Sequence, residues 1–215
     1  MKYTHVLWDF NGTVLRDMEA GIRAVNEMLA PRGLPVIDGL DRYHALFGFP
    51  VEEYYRRLGF DFEKEDYKTV LAPLWVSLYN KYSKDSPLYE GVRPLCAALR
   101  KRGLKQSILS ASERGMMEQQ LRTRDALSLF DEIWGTDSIH AVGKRELAQR
   151  WRAAHPKDTA VLLGDTVHDF EVAREIGADC ILIADGHQSA EKLRTCGVLV
   201  VKDLAECAKV LGLKK

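Results

Sequence analysis

No apolar run in this 215-residue chain approaches the roughly 18 residues of a membrane span, and no basic–apolar–small leader opens it. A membrane partner is therefore not expected, and the expected location is the cytoplasm. An excess of charge of one sign is also missing, since 31 basic residues balance 31 acidic ones. That balance gives no reason to expect nucleic acid or an anionic surface as partner. Cysteine is sparse. Cys96, Cys180, Cys196 and Cys207 show no Cys-x-x-Cys spacing and no neighbouring histidine pattern, which argues against structural zinc and against a disulfide framework. They read as free thiols. Repeats and low-complexity segments are absent. A chain of this length suits one domain with a sizeable insertion, or two small domains.

What is present begins with an apolar run that ends in an acid: Val6-Leu7-Trp8-Asp9-Phe10-Asn11-Gly12-Thr13. Residues 5–9 fit a buried strand that delivers one carboxylate to its C-terminal end. Gly12 then allows a sharp turn and a close approach of backbone to a ligand. In open parallel α/β sheets the ligand crevice lies at the carboxyl ends of the strands, so Asp9 stands where chemistry is done.

Beyond Asp17 an amphipathic run to Leu29 predicts a helix stopped by Pro31 and Gly33. Pro50-Val51-Glu52-Glu53 predicts a helix start, with Pro at the first helical position, and Gly59 closes it. Residues 63–83 predict one more helix with a kink or break at Pro73. After Ser86-Pro87 strands and helices alternate. Helices are expected at 91–102, opened by Pro94, and at 113–122, 144–155 and 168–176. Strands are expected at 104–110, 160–165, 180–183 and 198–201, with a short apolar piece at Ile133-Trp134 and a C-terminal helix. This alternation predicts βαβ units and a parallel, Rossmann-like α/β sheet interrupted after its first strand by a helical insertion.

A second acid cluster, Gly164-Asp165-Thr166-Val167-His168-Asp169, also follows an apolar strand. Asp9, Asp165 and Asp169 would then meet at one sheet edge, where a hard divalent cation such as Mg²⁺ relieves their repulsion. The competing reading is that each Asp caps the next helix. Ser110 ends another apolar segment and offers a hydroxyl to an anionic oxygen. Ser112 serves equally as an N-cap or as a donor beside it. Lys144, after Gly143, stands ahead of a helix, and read by itself it is a solvated lysine more readily than a catalytic one.

These motifs, in order, resemble the haloacid dehalogenase-like (HAD) hydrolase superfamily, in its phosphoglycolate phosphatase-like branch. Asp9-Phe10-Asn11-Gly12-Thr13 matches the first motif, Ser110 the second, Lys144 the third and Gly164-Asp165-Thr166-x-x-Asp169 the fourth. The resemblance implies an α/β core over 1–14 and 86–215, with a helical cap over 15–85. It implies a phosphatase of small phosphorylated metabolites, monomeric or homodimeric. Asp9 attacks phosphorus and forms an aspartyl-phosphate. Mg²⁺ is held by Asp9, the backbone carbonyl of Asn11, Asp165 and Asp169. Ser110, Lys144 and the backbone of Phe10, Asn11 and Ala111 hold the phosphoryl oxygens. By analogy with cap loops, Arg16, Arg42, His44 and Phe47 contact substrate, Arg42 to Gly48 being a turn-like cluster. Ordinary helix surface and core aromatics explain that cluster as well.

One position departs from the family. Phosphatases of this kind carry a second Asp where this chain has Asn11, and that Asp protonates the leaving alkoxide. Asn can orient a group but can neither give nor take the proton. Three consequences are open: turnover restricted to good leaving groups such as acyl phosphates, a substitute acid such as His168 or a cap residue, or a module that binds phosphate compounds with little turnover. A dehalogenase or phosphotransferase fits less well. Dehalogenation needs no Mg²⁺, whereas Asp165 and Asp169 are retained. Lys64, Lys68, Lys81 and Lys84 read as a solvated helix face, and Trp75, Tyr79 and Tyr82 as cap core.

Overall fold

Strand β1, His5–Trp8, is fully buried and sits in the middle of a parallel sheet. The computed structural model describes residues 2–137 and 143–213. The remaining strands are β2 (Lys105–Glu113), β3 (Glu132–Thr136), β4 (Ala160–Gly164), β5 (Asp179–Ile183) and β6 (Leu199–Val201). They lie in the order β3-β2-β1-β4-β5-β6. Every pairing is parallel. Such a sheet is covered on both faces, which is why β1 and β4 read as continuous apolar runs without alternation. Val6, Trp8, Ile108, Leu163 and Ile183 pack into the core on one face. Leu7, Leu109, Leu162, Leu182 and Trp151 pack into the core on the other.

The chain divides into two compact units, Met1–Arg16 with Pro87–Lys215 and, inserted between them, Asp17–Ser86. The inserted unit holds α1 (Met18–Leu29), α2 (Leu40–Leu46), α3 (Val51–Leu58) and α4 (Ala72–Ser83). It has its own core, built on Val25, Met28, Leu29, Tyr43, Tyr54, Tyr55 and Leu71. Asp17 leaves the α1 amides uncapped and instead accepts a 2.6 Å bond from Tyr79 Oη, joining the start of α1 to α4. Arg32 clamps Glu65 with two bonds of 2.5 and 2.6 Å. Trp75 stacks on Tyr79, as expected of a core, and Lys64, Lys68, Lys81 and Lys84 are exposed.

The α/β unit holds α5 (Val92–Lys101), α6 (Arg114–Arg122), α7 (Lys144–Ala154), α8 (Val167–Glu175), α9 (Ala190–Arg194) and α10 (Leu204–Val210). Several expectations are corrected here. The single helix over 63–83 is a turn followed by one π-turn at Tyr67–Leu71 and then α4. Pro73 lies in the first turn of α4 and has no N–H to give four residues back, so regular helix starts with it. Arg42 and His44, read as part of a turn, lie on α2, which at seven residues is too short to show a period in sequence. Pro50 is the N-cap of α3, not its first residue. Pro94 lies inside the first turn of α5, and Gly91, at φ 100°, precedes that helix. Ser110 does not end its strand. β2 runs on to Glu113 through a register irregularity, and Glu113 caps α6 by accepting 2.8 Å bonds from Gly115 N and Met116 N. Ser112 is therefore not the N-cap.

Candidate active site

The carboxyl ends of β1 and β4 are neighbours, and each is followed at once by an acid. Asp9 keeps the ladder for one more step, donating its N–H to Leu163 O at 2.8 Å. Asp165 follows β4, and Asp169 enters on the first turn of α8. One carboxylate oxygen of each lies within 4.8 Å of the others, and all three residues are buried. Lys144, the first residue of α7, is also buried. Its Nζ donates to Asp9 Oδ1 and to Asp169 Oδ1 in two short charged bonds. Residues 135 positions apart in sequence thus meet in one ion cluster.

Other groups hold the two later acids. Asp169 is the third residue of a capping box. Its Oδ2 accepts from Thr166 N at 2.9 Å and Thr166 Oγ1 at 2.6 Å. Capping and clustering are therefore the same arrangement, one oxygen serving the helix and the other Lys144. Asp165 Oδ1 accepts from Thr13 Oγ1 at 3.0 Å, and Oδ2 from His187 N at 2.6 Å. Gly12, at φ +78°, and Gly186 carry no Cβ, and one at either position would strike the Asp165 carboxylate. Thr13, Thr166 and the 186–188 loop escaped sequence reasoning as supports. Thr13 and Thr166 stood inside the motifs, whereas the loop lies outside all four. Gln188 is buried, and its Oε1 accepts from Val167 N at 2.8 Å.

The electrostatics follow from burial. Desolvation pushes the Asp9 carboxyl well above the usual carboxylate range; Lys144 pulls it back, and Asp169 and Asp165 push it further up. Burial likewise raises Asp165 to about 6, opposed by His187. Burial acts upward on Asp169 too, but Lys144 outweighs it and holds that acid below its ordinary value. For Lys144 the two carboxylates outweigh burial and keep the ammonium charged. Burial first, and Lys144 second, lower His168, whose Nδ1 lies 3.5 Å from Glu171. A neutral His168 is a poor acid at neutral pH.

On the β2 side, Ser110 is buried, and its Oγ accepts from Ser112 N at 3.2 Å. Ser112 Oγ donates to Asn11 Oδ1 at 2.6 Å, so Asn11 is held by the chain that follows Ser110. Phe10 is buried and Ala111 exposed. Arg16 is exposed at the end of the first segment of the α/β unit. Arg42, His44 and Phe47 belong to the helical unit. There Arg42 is exposed, and Phe47 stacks on Tyr43 at 5.2 Å as part of that unit's packing.

Comparison with known proteins agrees with this architecture. The family model for haloacid dehalogenase-like hydrolases matches residues 6–183. Curated relatives named tyrosine-protein kinase PtkA, from Mycobacterium tuberculosis and Mycobacterium bovis, are 24% identical over 213 residues, covering 96% of this chain and 72% of theirs. A haloacid dehalogenase-like hydrolase from Streptococcus pneumoniae superposes with a TM-score of 0.83 at 18% identity, covering 98% of this chain and 99% of that one. CbbY from Rhodobacter sphaeroides, solved with xylulose-(1,5)bisphosphate, superposes with a TM-score of 0.70 at 20% identity, covering 99% of this chain and 100% of that one. A parallel sheet with acids at the ends of β1 and β4, matched over most of its length by one family model, places this chain in the haloacid dehalogenase-like hydrolase family.

Proposed function

We propose that the chain is a Mg²⁺-dependent phosphohydrolase acting on a small phosphorylated metabolite through an aspartyl-phosphate on Asp9. The observation that carries this reading is the buried Lys144 ammonium joined to both Asp9 and Asp169 beside Asp165. Once all three acids are ionised, three carboxylates against one ammonium leave two negative charges in a buried space. An all-oxygen donor set with that charge suits Mg²⁺, with Asp9, the Asn11 carbonyl, Asp165 and Asp169 as its holders. When bound, the ion supplies positive charge that screens Asp9 from an incoming phosphate.

The chain's own residues do the rest. Lys144 orients the Asp9 carboxylate and neutralises part of the charge on the transferring group. Asp9 attacks phosphorus while the bond to the leaving oxygen breaks, and water then cleaves the acyl phosphate to release phosphate and free Asp9. Ser110 Oγ and the amides of Phe10, Asn11 and Ala111 hold phosphoryl oxygens, at about 3 kcal/mol of barrier per well-placed donor. Asn11, anchored by Ser112, contributes no proton, so acyl and aryl phosphates turn over faster than alkyl esters. The helical unit acts as a cap, with its Arg42, His44 and Phe47, and Arg16 of the α/β unit, as substrate-contact candidates.

The test compares p-nitrophenyl phosphate, acetyl phosphate and phosphoglycolate with and without Mg²⁺. Asp9→Ala abolishes turnover, and Asn11→Asp raises alkyl-ester hydrolysis by ~10²–10⁴-fold. Absence of turnover on all three, with beryllofluoride still bound, replaces this reading with a phosphate-binding module, the second reading that Asn11 favours. The relatives' name suggests one more acceptor. A tyrosine hydroxyl in place of water makes the same first step a phosphotransfer, read by including a tyrosine peptide in the assay.

A further inference from the structure

At the opposite, N-terminal end of β1 from Asp9, about 13 Å back along the strand, a second cluster forms from His5, His155 and Asp158. One donor atom of each lies within 4.8 Å of the others. His5 opens β1 and is fully buried; His155 follows α7, and Asp158 precedes β4. None of the three is shared with the cluster of Asp9, Asp165 and Asp169.

The hydrogen bonds here form a chain that is short of protons. His5 Nδ1 faces Asp158 Oδ2 at 3.2 Å, and His5 Nε2 lies 2.7 Å from Ser107 Oγ. Ser107 Oγ lies 3.2 Å from Glu132 Oε2. His155 Nε2 faces Glu132 Oε1 at 3.3 Å, and His155 Nδ1 lies 3.0 Å from Trp151 O. Carboxylates and the carbonyl only accept. One hydroxyl and two neutral imidazoles bring three protons to five contacts. Trp151 O takes the His155 proton at Nδ1, leaving a lone pair at Nε2 against Glu132. With Ser107 donating to Glu132, Ser107 accepts from His5 Nε2 and a lone pair is left at His5 Nδ1 against Asp158; with Ser107 donating to His5 instead, the mismatch moves to Ser107 and Glu132, and the shortfall of protons is the same.

Two imidazolium ions would mend both mismatches. The rings are only 5.2 Å apart, however, and Trp151 packs edge-on to the buried His5 ring at 5.0 Å. Like charges at that separation repel, and burial pulls the His5 ring below its ordinary value. A single divalent cation satisfies both lone pairs and the Asp158 carboxylate together. We propose that His5, His155 and Asp158 bind a divalent transition-metal ion, with Glu132 as the adjoining carboxylate, at a structural site that ties the start of β1 to the connection between α7 and β4. Two imidazoles with carboxylate suit Zn²⁺ and its neighbours rather than Mg²⁺, so this site is chemically separate from the one at Asp9.

The test strips the full chain with a chelator and then holds Mg²⁺ in excess. Zn²⁺ is titrated by calorimetry, and Co²⁺ by its ligand-field absorption. The expected result is one tight equivalent per chain. Its affinity falls by more than about 100-fold in His155→Ala and in Asp158→Asn, since even an outer partner of a metal ligand is worth 10–100-fold. Asp165→Asn leaves it unchanged. Two-bond ¹H–¹⁵N spectra of the wild-type histidines keep the proton of His5 on Nε2 and that of His155 on Nδ1, with the opposite nitrogens shifted by Zn²⁺; this readout needs no substitution. The absence of a tight equivalent overturns the proposal. So does an affinity untouched by both variants or lost only in Asp165→Asn, or a chelated protein whose two histidines are imidazolium and indifferent to Zn²⁺.

Discussion

Replacing Lys144 with Met isolates the electrostatic role of the buried ammonium, because Met keeps most of the side-chain volume. In the wild type one cation answers Asp9 and Asp169 directly, with Asp165 alongside. The substitution leaves three buried carboxylates without it. Removing one partner of a buried ion pair costs about 3–5 kcal/mol. At about 2–4 °C per kcal/mol for a chain of this size, the midpoint of thermal unfolding falls by about 10 °C at pH 8. The deficit shrinks in acid. Asp165 has a folded pKa raised from 3.8 to about 6, and Asp9 is raised as well, so each contributes stability that is complete at low pH and lost as pH rises through the folded value. Without Lys144 those values climb further. The variant therefore recovers most of its deficit between pH 8 and pH 5, and Mg²⁺ restores part of it at pH 8. Denaturant melts of both proteins at the two pH values measure this. A deficit equal at pH 5 and pH 8, or none at either, refutes the reasoning, since it means the ammonium is not balancing the acids.

Added Mg²⁺ raises the melting temperature of the wild type at pH 8, and the gain fades as pH falls through about 6, where protons occupy Asp165; scanning calorimetry across pH reads it, and a gain independent of pH contradicts it. Thr13→Val removes a hydroxyl donor from buried Asp165 and costs about 1–3 kcal/mol in urea unfolding, with Mg²⁺ affinity lowered about 10-fold or more; unchanged values for both would show that Thr13 does not support that acid. Tyr79→Phe strips the phenol from buried Asp17 and destabilises the helical unit by about 1–3 kcal/mol, seen as faster hydrogen exchange in α1 and α4; exchange rates equal to wild type would contradict it.

Several features were legible in the chain without coordinates. The apolar runs ending at Asp9 and Gly164-Asp165 identify themselves because strands buried on both faces carry no polar alternation. Glycines closed the predicted helices correctly at Gly59, where φ is 97° and a side chain would be strained. Short or edge elements were not legible. The seven-residue α2 shows no period, and β3, at the sheet edge with half-buried residues, read only as an apolar piece. The extension of β2 past Ser110 depends on its pairing with β3, so nothing in residues 110–113 announces it.

Local sequence determined the alternation of strands and helices and the acids at strand ends, because those depend on side-chain period and on residues a few places apart. Tertiary structure alone decided that Lys144 reaches Asp9 and Asp169, that Thr13 and the His187 amide hold Asp165, and that Ser112 binds Asn11 in place of capping a helix. Each of these joins segments brought together only by the strand order β3-β2-β1-β4-β5-β6. That order goes with apolar cores on both faces of the whole sheet, and no window of a dozen residues contains it.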